Sequence, residues 1–126
     1  MTAMLSIGTV VMGVSDLARA EAFWRAALDY LPLEESRDAG WITLRPASGQ
    51  GTRLSLELSE STVLHHPRLH LDLYAGDRAE QGRQVERLVS LGAVRIDWDS
   101  YPEDPDFVVL ADTEGNLFCV IDTAHQ

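Results

Sequence analysis

Two stretches of this chain, 7–59 and 69–122, pass through the same order of periodicities, so the fold must be built from two copies of one small unit. In the first, 7-IGTVVMGV-14 reads as a strand, and 16-DLARAEAFWRAAL-28 carries Leu17, Ala20, Phe23, Trp24, Ala27 and Leu28 at helical spacing behind a cap at Ser15 or Asp16. A short strand is expected near 33-LEESR-37, then 41-WITLR-45 and 53-RLSLELS-59, the last two joined by the turn-rich 46–51. The second copy places a strand at 69-LHLDLYA-75, a helix at 77–92 ending at Gly92, a strand at 94-VRIDW-98, and a hairpin of 107-FVVLA-111 with 117-LFCVID-122. Thr9-Val10 through Ser15-Asp16 aligns with His70-Leu71 through Gly76-Asp77, and Gly49-Gln50 with Gly115-Asn116. The expected fold is α+β: two βαβββ modules, about 5–60 and 68–123, in tandem within a single domain of 1–126.

Strand alternation assigns faces. Leu54, Leu56 and Leu58 share one side of their strand and Arg53, Ser55 and Glu57 the other. Ile42 and Leu44 oppose Trp41, Thr43 and Arg45, while Leu69, Leu71 and Leu73 oppose His70, Asp72 and Tyr74. The leucine faces should pack on the two amphipathic helices. The opposite faces suit either solvent or a polar ligand pocket.

Composition removes several classes of function. A formal net charge of -10 repels nucleic acid; solubility alone accounts for such a charge, and it mildly favours a neutral or cationic small ligand. All ten basic residues are arginine, so Schiff-base chemistry and a P-loop, which need lysine, are excluded. The single cysteine, Cys119, cannot form an internal disulfide. The opening MTAMLSIGTVVMG has no basic residue ahead of its apolar run, so a cytoplasmic location is expected. No apolar run approaches the roughly 20 residues that span a bilayer, so no membrane partner is expected.

The strand-to-helix joint VSDLARAEAFW, a second half opening RLHLDL, the ending LADTEGNLFCVID and the duplication together resemble the vicinal oxygen chelate superfamily, the glyoxalase/bleomycin-resistance/extradiol-dioxygenase group. The small glyoxalase-like branch is the nearest match. This resemblance implies that the curled sheets form a cup around a small organic molecule, and that the protein is a homodimer. It also implies a divalent metal ion held by four positions, which fall here at Thr9, Glu57, His70 and Cys119. Only Glu57 and His70 are good ligands for hard ions, so the metal site is expected to be incomplete. Asp72, two residues from His70, could add a third ligand, although a separation of about 7 Å along a strand would spread the pair.

Glu57 and His70 are the candidate catalytic groups, as general base and as metal-holding or substrate-polarising residue. For His70, a plain sheet histidine bonded to Asp72 or Glu57 is an equal reading. Cys119, mid-strand between apolar neighbours, reads as a small core filler rather than a nucleophile. Trp41 is either an aromatic wall for a flat ligand or edge packing. Arg45 and Arg53 could clamp a carboxylate or pair with local acids, and Asp72 and Tyr74 complete the candidate ligand-binding set. His65-His66, ahead of Pro67, could form an adventitious surface metal site, and 99-DSYPEDPD-106 reads as a solvated loop. Two functions remain open: a lyase, isomerase or dioxygenase-like enzyme, or a non-catalytic sequestering protein of the bleomycin-resistance type.

Overall fold

A computed structural model describes residues 4–126. Two compact units divide between Ser61 and Thr62, which matches the duplication. The first contains β1 (Thr9–Val14), α1 (Leu17–Leu28), β2 (Tyr30–Asp38), β3 (Trp41–Pro46) and β4 (Arg53–Leu58). The second contains β5 (Leu71–Tyr74), α2 (Arg78–Ser90), β6 (Val94–Arg95), β7 (Phe107–Ala111) and β8 (Leu117–Ile121). Each unit has one four-stranded sheet, ordered β1-β4-β3-β2 and β5-β8-β7-β6. In each, the first and last strands are parallel neighbours and the remaining pairs are antiparallel. Neither helix is long and apolar enough to cross a membrane.

The helices start where short acceptors precede the apolar stripe. Asp16 accepts from the Arg19 backbone N–H at 3.0 Å, and Asp77 does the same for Glu80 at 2.7 Å. In the first unit, α1 buries Ala20, Phe23, Trp24 and Ala27, while the sheet buries Ile42, Leu44, Leu54 and Leu56. Burying each of these large aliphatic side chains stabilises the unit by about 1.5–3 kcal/mol. In the second unit, Val85 and Leu88 of α2 are buried, as are Leu110, Phe118 and Val120 of the sheet. The expectation that every strand leucine packs inward fails at Leu69, which precedes β5 and is 72% exposed, and at Leu58, the last residue of β4.

Three boundaries differ from the sequence reading, each for a local reason. β2 is nine residues long rather than a short strand near 33–37. Its register shifts between Leu33 and Asp38, and there Ser36 Oγ donates to the Leu33 carbonyl and accepts from the Thr43 N–H. There a hydroxyl stands in for ladder bonds, and the strand continues to both sides of the polar 33-LEESR-37. Conversely, β6 keeps only two residues of 94–98, because the Tyr101 hydroxyl accepts from the Val109 N–H at 2.8 Å. β5 begins at Leu71, leaving His70 just outside the pleat.

The DTEGN turn between β7 and β8 is a structural clamp. Buried Asp112 accepts from the backbone N–H groups of Glu114 and Asn116 at 2.8 and 2.9 Å, and Gly115 takes the positive φ of 85° that closes the turn. Gly92, at φ 120° beyond α2, comes so close that a Cβ there would sit 2.9 Å from Thr113 Cγ2.

Candidate functional site

Alternation on β5, β7 and β8 sends Asp72, Tyr74, Phe107, Val109, Leu117, Cys119 and Ile121 toward one cavity of about 660 Å³ in the second unit, and His70, just ahead of β5, also lines it. The strand registers explain the gathering. Asp72 and Val109 are the partners of Cys119 on its two sides, and Tyr74 and Phe107 are the partners of Ile121. Trp98, His66, Asp106 and Phe118 complete the wall. The lining is chiefly apolar and aromatic, with a few polar groups among it, the usual composition of a small-molecule site.

His70 Nε2 lies 3.1 Å from Asp72 Oδ1. The expected spreading of this pair does not occur: His70 precedes the strand, so its side chain is free to turn along the face toward Asp72. Cys119 Sγ joins them, with the ligand atoms of all three within 4.8 Å of one another. The cysteine is buried, yet it lines the cavity as well as filling space. Burial pushes its thiol up to about 11, and the negative charges of Asp72 and Asp106 add to the shift. At neutral pH it is therefore a protonated thiol and a poor nucleophile.

The first unit presents a different polar face. Ser55, fully buried at the centre of β4, has its Oγ 2.8 Å from Thr9 Oγ1 on β1 and 2.8 Å from Thr43 Oγ1 on β3. Trp41 Nε1 donates to Thr43 Oγ1 at 3.0 Å, which fixes the half-buried indole on the sheet. Glu57 is exposed and is the register partner of both Gly13 and Trp41. Arg45 donates to the Pro46 carbonyl at 3.3 Å, so its guanidinium is turned to its own strand end. Arg53, the partner of Thr9, is exposed.

The glyoxalase-like domain family matches residues 9–121, from the first residue of β1 to the last of β8. The chain belongs to that family, within the vicinal oxygen chelate superfamily. No curated protein sequence matches it significantly. Among solved structures, a glyoxalase/bleomycin resistance protein/dioxygenase family enzyme from Burkholderia phytofirmans is 16% identical, with a TM-score of 0.73 over 92% of this chain and 97% of that one. Lactoylglutathione lyase from Agrobacterium tumefaciens is 20% identical, with a TM-score of 0.63 over 94% and 93%. A fosfomycin resistance protein from Listeria monocytogenes, solved with manganese(II) and a dihydroxypropylphosphonic acid, is 17% identical, with a TM-score of 0.69 over 95% and 90%. These likenesses establish a shared fold.

In this glyoxalase-like chain the four positions implied for a metal, Thr9, Glu57, His70 and Cys119, do not suit a hard divalent ion. The Thr9 hydroxyl is engaged with Ser55, and the Cys119 thiol holds its proton. Hard ions want carboxylate and water oxygens. His70, Asp72 and Cys119 are nevertheless a candidate ligand group for a softer ion, at the cost of releasing the thiol proton. Sequence reasoning placed His70, Asp72 and Tyr74 on one face but missed Phe107, Phe118, Trp98 and Asp106. The alternation of 107-FVVLA-111 carried the signal for Phe107; Trp98 and Asp106 lie in irregular backbone, where no period marks a face.

Proposed function

We propose that this glyoxalase-like chain binds a flat, positively charged organic molecule in the cavity of its second unit. One observation carries the reading: an aromatic and aliphatic lining that includes Phe107 and Phe118 also contains Asp72 and Asp106. Apolar walls reward burial of a flat ligand, and two acids among them favour a cation over an anion. The net charge of -10 acts in the same direction at longer range. The volume of about 660 Å³ suits a molecule of drug size. Sequestration needs no bond broken and no metal, which agrees with a ligand set that does not suit a hard ion. Native mass spectrometry against matched aromatic cations and anions tests it. Cations retained by the wild-type chain and lost in Phe107→Ala support the reading; equal retention of anions removes it.

A second reading rests on the His70–Asp72 contact. A carboxylate that accepts from one imidazole nitrogen fixes the tautomer and leaves the other nitrogen basic. Such a histidine can take a proton from a carbon acid, the first step of an isomerase or lyase. Solvent deuterium entering a bound candidate substrate, lost in His70→Ala, would distinguish catalysis from sequestration. The homodimer expected for such a protein is part of either reading, and sedimentation equilibrium tests it.

A further inference from the structure

Beside the cavity, a second group of metal-binding side chains lies outside the positions implied by the family. His66 Nε2 is 3.4 Å and His65 Nε2 4.0 Å from the same oxygen of Asp99, Oδ2, and the three ligand atoms lie within 4.8 Å of one another. A tetrahedral zinc-like ion with bonds of about 2.0–2.1 Å sets its ligands roughly 3.3 Å apart. The His66–Asp99 edge is therefore already at that length, and the other two edges are reached by small side-chain rotations.

The surroundings hold the group in this arrangement. Ser100 Oγ donates to the other carboxylate oxygen, Oδ1, at 2.9 Å, which leaves Oδ2 as the oxygen turned to both histidines. The imidazoles meet edge to face at 4.7 Å, and Trp98 packs against both, at 4.8 Å from His66 and 5.6 Å from His65. Two imidazoles and one carboxylate are the donor set of a borderline transition ion rather than of magnesium or calcium. All three side chains are more than half exposed, so an ion can enter without unfolding anything.

We propose that His65, His66 and Asp99 form a binding site for a divalent transition-metal cation of the zinc and nickel class, separate from the His70–Asp72–Cys119 group. Three protein ligands leave a coordination position open. His66 and Trp98 also line the cavity, so an ion here borders the space where an organic ligand would sit. The site does not depend on what that ligand is.

Trp98 supplies the readout, because an open-shell ion held against the histidines quenches indole fluorescence at this range. Nickel(II) is titrated into the full chain without a histidine tag at about pH 7.5, where free imidazole is largely neutral. One equivalent should quench part of the emission, and zinc(II) should reverse it by displacement. Trp98→Phe should abolish the quench while calorimetry still records one bound ion. The double variant His65→Ala/His66→Ala should lose binding, and Ser100→Ala should weaken it by roughly tenfold. His70→Ala and Cys119→Ser should leave the quench as in the wild type. Undiminished binding in the double histidine variant, or loss of the quench in His70→Ala or Cys119→Ser instead, would overturn the proposal. The exposed position of the histidines makes a folding defect detectable as a separate fall in Tm.

Discussion

Asp72 and Cys119 are direct partners across the parallel β5–β8 pair, and their ligand atoms lie within 4.8 Å. Placing a buried thiol beside a carboxylate disfavours the thiolate, and the folded-state pKa rises from the ordinary 9.0 to about 11. The unfolded chain then loses this proton first. Stability from the group is fully present below about pH 9 and is lost as pH rises through about 11. Urea denaturation from pH 8 to 11 should show wild type losing more stability than Cys119→Ala, and Asp72→Asn should make the loss smaller and complete it at lower pH. Parallel pH profiles for wild type and Cys119→Ala would show that the thiol is not shifted.

Ser55 bridges Thr9 and Thr43 at 2.8 Å on each side and is fully buried. Ser55→Ala removes two hydrogen bonds and strands part of the Thr43 hydroxyl, so a loss of about 1–3 kcal/mol is expected in chemical denaturation. Ligand affinity measured on the second unit's cavity should be unchanged.

The turn after β7 gives two opposite expectations. Asp112→Ala strips the acceptor from two backbone N–H groups and should cost about 2 kcal/mol or more. Thr113 Oγ1 is buried without a hydrogen-bond partner, so Thr113→Val, which replaces a hydroxyl with a methyl of similar size, should be neutral or raise Tm.

Gly92→Ala should cost about 1–3 kcal/mol, since the new methyl carries a positive φ of 120° and meets Thr113 Cγ2 at 2.9 Å. The loss should shrink in Gly92→Ala/Thr113→Ser, where that γ-methyl is gone.

How far the sequence reaches depends on whether a regular backbone period carries the information. The duplication was legible because both helices and most strands keep strict periods, as in Leu54, Leu56 and Glu57, Ser55 on opposite faces. His70, Asp72 and Tyr74, which alternation assigns to one face, all line the second unit's cavity, although His70 lies just outside β5. β2 was expected near 33–37 but runs longer, with a serine side chain completing its ladder, and β6 fell short because Tyr101 caps the strand edge. The His65–His66–Asp99 group joins a bend to a loop more than thirty positions along the chain, and no local pattern encodes such a meeting. The state of Cys119 depends first on its burial and then on the charges of Asp72 and Asp106, from β5 and the 99–106 loop, which strand spacing alone does not bring together.

The row from Trp41 to Thr9 also has a direction. An indole nitrogen can only donate, so Thr43 Oγ1 accepts a hydrogen bond from Trp41, and one arrangement gives every hydroxyl hydrogen an acceptor: Thr43 to Ser55, Ser55 to Thr9, and Thr9 to the Val10 carbonyl. The dipoles align head to tail across three strands and strengthen one another. Trp41 is thus the donating end of a directional hydrogen-bond chain, and replacing it with phenylalanine would remove the donor that polarises the three hydroxyls.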